Sequence, residues 1–202
     1  DTYMEKIATG PEGRGVVSLE QTPTENVRAL ADAKGCRVSE LGVTVLERER
    51  HQALIAELRA AGARIFLVSD GDVAPAVATC ISGSGIDMVY GTGGAPEGVL
   101  AAAALHCLGG CFKGRLRFRS DAERARAITM GMTDPDRYLD LEDLVQGEVV
   151  FVATGVTTGP LLKGVRREGN RLHMQTLAMR SSTGTVRYVE SSVRADRFDA
   201  HM

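Results

Sequence analysis

Short apolar runs alternate with helically spaced apolar positions through the first half of the chain. Thr2 to Ala8 alternates like a strand, and Gly10-Pro11-Glu12-Gly13 turns it. Val16 to Leu19 reads as a short second strand. Thr22-Pro23-Thr24-Glu25 forms a capping box, with Pro23 at the first helical position, and the helix carries Val27, Leu30 and Ala31 before stopping at Gly35. Val43 to Leu46 is β-branched enough for a buried strand. A strand–loop–helix rhythm then sets in. Leu54, Ile55, Leu58 and Ala61 share one helical face ending at Gly62. The strand Arg64 to Val68 precedes an alanine-rich helix reaching Ile81. Ile86 to Tyr90 is a buried strand, followed by the glycine-rich stretch Gly91 to Gly98 and the helical run Val99 to Leu105.

The second half is less periodic. Phe112 to Phe118 reads as a strand with arginines facing water, and Ser120-Asp121-Ala122-Glu123 caps a helix running to about Met130. Thr133 to Asp136 is a turn before the short amphipathic Leu141 to Val145. Val149 to Ala153 reads as another buried strand, with a polar loop, Thr154 to Gly159, at its end. From Val165 to Val193 the pattern is that of antiparallel strands, with turns at Glu168-Gly169-Asn170 and Ser182-Thr183-Gly184. Taken together, the pattern predicts one α/β domain over residues 1–202. Its sheet has a parallel core with helices on both faces, and the C-terminal extension is antiparallel. Ligands gather at the carboxyl ends of such strands. The polar clusters at 47–51, 69–72 and 91–97 all fall there.

The glycine-rich stretch, Gly91-Thr92-Gly93-Gly94-Ala95-Pro96-Glu97-Gly98, has the character of a phosphate loop between strand and helix. It is not a Walker A loop, since no Gly-Lys-Ser/Thr follows, and Pro96 stands where a dinucleotide fingerprint needs glycine. Glu97 projects from the first helical turn. It either complements the helix dipole or holds a metal beside a phosphate.

Charge narrows the partners. A formal charge of −2 and a pI near 6.1 argue against nucleic acid and against a membrane surface. No apolar run approaches the roughly 20 residues of a bilayer span, and no signal peptide is visible. Cys36, Cys80, Cys107 and Cys111 show neither a CxxC pair nor disulfide-framework spacing. They read as free thiols of a reducing cytoplasm, with a Cys107–Cys111 thiol switch as the alternative. The chain begins at Asp1 rather than Met, so a processed or excised piece is expected.

Each polar cluster has a chemical and a plain reading. Arg48 and Arg50 suit bidentate phosphate contacts, or simply decorate a solvated helix start. Asp70 and Asp72 suit a metal, sugar hydroxyls, or the DxD of a haloacid-dehalogenase-type phosphatase; Asp72 alternatively caps the next helix. His51 reads as a surface or packing histidine.

These residues carry a family resemblance. Tyr3-Met4-Glu5-Lys6, Arg48-Glu49-Arg50-His51, Ser69-Asp70-Gly71-Asp72-Val73 and Gly93-Gly94-Ala95-Pro96-Glu97-Gly98-Val99 resemble class II, bacterial-type fructose-1,6-bisphosphatases, including the bifunctional sedoheptulose-1,7-bisphosphatases. Thr133-Asp134-Pro135-Asp136-Arg137, Ala153-Thr154-Gly155-Val156-Thr157 and Arg180-Ser181 extend the likeness over essentially the whole chain, as the C-terminal part of that family. The resemblance implies metal-dependent hydrolysis of the 1-phosphate of fructose 1,6-bisphosphate, in gluconeogenesis or the reductive pentose phosphate cycle, by a cytoplasmic homo-oligomer. It places sugar-phosphate contacts on Tyr3, Arg48, Glu49, Arg50, Asp70, Gly71, Asp72 and Gly94, and makes Glu97 a ligand to Mn²⁺ or Mg²⁺. Glu47 and Glu49 depart from the Asp and Pro common in the family. The family's N-terminal half, with its other acidic ligands, has no counterpart here, so the isolated chain is expected to be inactive and its Tyr3 strand to be an exposed edge. A non-catalytic sugar-phosphate-binding domain and a dehalogenase-type phosphatase with Asp70 as nucleophile are the alternatives.

Overall fold

The computed structural model describes residues 2–198. Strand β1 (Tyr3–Thr9) leads through turns to α1 (Pro23–Lys34), where Thr22 accepts from the Glu25 N–H and Glu25 returns the bond, so the capping box is formed. Then come β2 (Gly42–Leu46), α2 (Gln52–Ala60), β3 (Arg64–Val68), α3 (Val73–Ala78), β4 (Met88–Gly94) and α4 (Ala95–Leu108). These are followed by β5 (Cys111–Arg117), α5 (Asp121–Thr129), β6 (Leu139–Asp140) and α6 (Leu141–Leu144). The C-terminal part supplies β7 (Val150–Thr154), β8 (Arg166–Glu168), β9 (Arg171–Arg180), β10 (Thr185–Arg194) and α7 (Ala195–Phe198).

The first six strands form one mixed sheet in the order β3-β2-β4-β1-β5-β6. Its β3-β2-β4 portion is the expected parallel core. β1 runs antiparallel to both neighbours, pairing over its whole length with β4 and with β5. The expectation of an exposed Tyr3 edge is therefore wrong: β1 is central. Its apolar side chains explain why. Ile7 packs into the core shared with α1 and α2, while Met4 and Ala8 pack on the opposite face against α4. A strand that buries both faces belongs inside a sheet. β3 is an edge instead, with Phe66 and Leu67 exposed.

The second sheet, β10-β9-β7 with β8 on β9, is antiparallel, and the turns at Gly169 and Gly184 lie where expected. Leu177 and Met179 of β9 pack with Ala104 and Cys107 of α4. Ala101, Ala102 and Leu105 of the same helix pack toward the first sheet. α4 thus lies between two sheets. Its alanine content reflects close approach on both sides, as well as helix propensity.

Several local expectations change. Residues 16–19 form turns and irregular chain rather than a strand, and α3 ends at Ala78 rather than Ile81. Val150 and Val152 of β7 are 67% and 59% exposed, because among the described residues only one face of that sheet is covered. Arg115 and Arg117 do not simply face water; both donate to Glu5 across the β1–β5 pair. All four cysteines are free, and burial raises each thiol above its usual range. Among the described residues, no helix is long and apolar enough to cross a membrane.

Candidate active site

The largest change concerns the glycine-rich stretch. Gly91 to Gly94 are not a loop; they are the last residues of β4, paired with β1 in the register Lys6 to Gly91, Met4 to Gly93 and Tyr3 to Gly94. Helix α4 begins at Ala95, and Glu97 sits in its exposed first turn. The glycines make room for two carboxylates. A Cβ on Gly93 would lie 2.5 Å from Asp72 Oδ2. A Cβ on Gly94 would collide with the Glu97 carboxylate, 2.9 Å from its Cδ and closer to Oε2. The backbone is bare here so that side chains can pass.

Four strand ends meet around a cavity of about 550 Å³. The carboxyl end of β2 brings Leu46, Arg48 and Arg50, and that of β3 brings Asp70, Gly71 and Asp72. β4 and the start of α4 bring Gly93, Gly94, Pro96 and Glu97. β1, running the other way, brings Thr2 and Tyr3 from its amino end. The three polar clusters at parallel strand ends therefore do converge, as the topology requires. Of the expected contact residues only Glu49 stays outside: it is exposed in a single 3₁₀ turn and does not line the cavity.

The two arginines are not equivalent. Arg50 donates twice to the Thr92 carbonyl, at 3.2 and 2.7 Å, and its guanidinium lies 5.2 Å from the Tyr3 ring centroid. Arg119 lies 5.4 Å from the same ring, so Tyr3 is held by two cations. Among the described residues, Arg48 donates only to the neighbouring Glu47 carbonyl, at 2.9 Å. Most of its fork remains for a ligand.

His51 is a packing histidine, but a placed one. Its Nε2 accepts from the Thr92 N–H at 2.8 Å, which leaves Nδ1 as donor to the Leu46 carbonyl at 2.7 Å. The neutral ring therefore bolts the end of β2 to the end of β4. Burial, with Arg50 and Arg48 nearby, outweighs the Leu46 contact and lowers its pKa from 6.5.

Asp70 Oδ1 accepts from the Gly71 N–H at 2.9 Å in an exposed turn. Asp72 stands at the N-cap of α3, yet its side chain makes no capping bond. It is buried and pairs with Lys6, whose Nζ is 2.7 Å from Oδ2 and 2.9 Å from the Gly94 carbonyl. Neither spacing nor periodicity singles out Lys6 as a site residue. The available signal was a lysine on the strand face otherwise built from Met4 and Ala8.

Metal fit can be judged from the donor set. Among the described residues, no group of three or more His, Cys, Asp or Glu side chains comes together to hold a metal ion. Glu97 supplies a single carboxylate, and one oxygen of Asp72 is occupied by Lys6. These residues do not by themselves make a metal centre.

Known proteins resemble this chain throughout. The family model described as "Bacterial fructose-1,6-bisphosphatase, glpX-encoded" matches residues 1–193. The "Fructose-1,6-bisphosphatase 1 class 2" of Escherichia coli K12 is 40% identical over 216 aligned residues, covering 100% of this chain and 64% of that protein. The "Fructose-1,6-bisphosphatase class 2" proteins of Escherichia coli O6:H1 (strain CFT073) and Shigella flexneri match to the same extent. The chain thus spans just under two thirds of the length of these relatives.

Proposed function

Since the chain belongs to the bacterial, class II fructose-1,6-bisphosphatase family, we propose that it serves the hydrolysis of fructose 1,6-bisphosphate at the 1-phosphate, with a divalent metal, Mn²⁺ or Mg²⁺. One observation supports this reading above the rest. Cationic, hydroxyl-binding and carboxylate side chains from four strand ends line a single cavity.

In this reading the roles divide by chemistry. Arg48, with its largely free planar fork, takes a phosphate bidentately. Arg50 adds charge while bracing Tyr3, whose ring packs against the sugar. Asp70 and Asp72 accept sugar hydroxyls, the Gly71 and Gly94 backbone lets the ligand approach, and Glu97 is one metal ligand beside the reacting phosphate. Glu49, exposed outside the cavity, takes no contact in this reading. The metal would polarise the phosphate and activate water, which takes more carboxylates than Glu97. By this count the 202-residue chain alone grips sugar phosphate better than it turns it over. Sedoheptulose 1,7-bisphosphate, with the same phosphate chemistry on a longer sugar, is the second substrate to try.

The test is phosphate release from both bisphosphates with Mn²⁺ or Mg²⁺, for this chain and for the whole protein its gene encodes, alongside calorimetric titration. Release by the whole protein, with sugar-phosphate binding by the chain, supports the assignment. Absence of both overturns it. Trapping a phosphorylated Asp70 would instead establish the dehalogenase-type alternative.

A further inference from the structure

Lys6 is a charge in an apolar row. Met4 and Ala8, on the same face of β1, are each 1% exposed and pack in the core shared with α4; Lys6 is itself 2% exposed. Its ammonium joins two segments far apart in sequence, Asp72 at 2.7 Å and the Gly94 carbonyl at 2.9 Å. Among the described residues, Lys6 is the sole hydrogen-bond partner of the Asp72 carboxylate, and it uses Oδ2; Oδ1 has none. Gly93 leaves the space for this pair, since a Cβ there would lie 2.5 Å from Oδ2 and 3.3 Å from Nζ.

A buried ion pair is a weak source of stability, because desolvation offsets the attraction and an apolar pair of similar volume often does as well. Position suggests another role. Asp72 lines the cavity, whereas Lys6 is buried and does not line it. Resting on the sugar-bisphosphatase reading above, we propose that Lys6 is a positioning residue for sugar recognition. By occupying Oδ2 it fixes the rotation of the Asp72 carboxylate, so that Oδ1 is the atom a sugar hydroxyl meets. By holding the Gly94 carbonyl it also sets the first turn of α4 against that point. Phosphate recognition, which belongs to Arg48 and Arg50, does not pass through Lys6.

The division gives a test. Lys6→Met, Asp72→Asn and the double variant are made in the whole protein its gene encodes, and titrated calorimetrically with fructose 1,6-bisphosphate and with inorganic phosphate. Each single variant should weaken sugar-bisphosphate binding roughly tenfold to a hundredfold, the span of one hydrogen bond to a charged group. The double variant should be no weaker than either single one, and inorganic phosphate should bind all of them as it binds wild type. Lys6→Met that melts earlier but keeps wild-type sugar affinity would make the pair merely structural and overturn the proposal. So would additive losses in the double variant. If Lys6→Met does not fold, the double variant, neutral on both sides, carries the comparison: binding weaker than in Asp72→Asn alone overturns the proposal, and equal binding supports it. Wild type that binds fructose 1,6-bisphosphate no better than inorganic phosphate would refute the sugar reading itself, and this proposal with it.

Discussion

Gly94→Ala separates a carboxylate slot from a phosphate cradle. The backbone at Gly94 has φ −62° and ψ 140°, a conformation open to alanine, so the substitution brings no backbone strain. The clash is with Glu97 alone. The new Cβ would stand 2.9 Å from Cδ, inside the 3.4 Å at which ordinary contact begins, and would overlap Oε2. The carboxylate must then retreat by at least about 0.5 Å, whereas metal–ligand distances hold to within about 0.2 Å. Stability should barely move. Alanine in a compatible conformation stabilises by about 0.4–1 kcal/mol, and displacing an acidic group from a helix start costs about 0.3–1 kcal/mol. For a chain of this size the melting temperature should therefore stay within about 3 °C of wild type. Function should not survive as well. In the whole protein its gene encodes, phosphate release titrated against Mn²⁺ or Mg²⁺ should show Gly94→Ala copying Glu97→Gln: a lower maximal rate and a metal requirement at higher concentration. If Gly94→Ala keeps the wild-type metal titration, Gly94 is not a slot for the Glu97 carboxylate. If it weakens phosphate binding while Glu97→Gln is silent, the stretch is a phosphate cradle and Glu97 only complements the helix dipole.

Arg48→Ala should weaken sugar-phosphate binding by roughly 1.5–3 kcal/mol with an unchanged melting temperature, whereas Arg50→Ala should also lose stability, since it gives up two hydrogen bonds to the Thr92 carbonyl; calorimetry and thermal melts on the two variants separate these effects, and equal melts would refute the asymmetry. Asp70→Asn should raise KM or modestly lower kcat while turnover continues; complete loss of turnover in that variant, together with an acyl-phosphate trapped on Asp70 of the wild type, would make Asp70 the nucleophile. His51 makes the fold sensitive to acid. Its folded pKa lies below 6.5, so between those two values the unfolded chain binds more protons, and stability present above pH 6.5 is lost as pH falls through that window. Melts at descending pH should show wild type losing this increment and His51→Gln lacking it; parallel pH profiles would remove His51 from the linkage.

Local chemistry was readable because it is carried by neighbours in sequence. The Thr22–Glu25 capping box, the turn glycines of the C-terminal strands and the β3-β2-β4 parallel core all follow from residues a few positions apart. So does the site's location, because each parallel strand must deliver its following loop to the same edge of the sheet. Spatial order is another matter. Nothing within Tyr3 to Thr9 names its neighbours, so the segment's place at the middle of the sheet emerged only when β4 and β5 closed on it from either side. Exposure behaves likewise: β7 reads as buried from its valines, but only a covering layer can bury a face, and among the described residues one side of that sheet has none. The meaning of the glycines was tertiary too. Gly93 is bare because Asp72 arrives from another strand end, held by a lysine 66 residues from it in sequence, and no pattern of spacing encodes a meeting made by the fold.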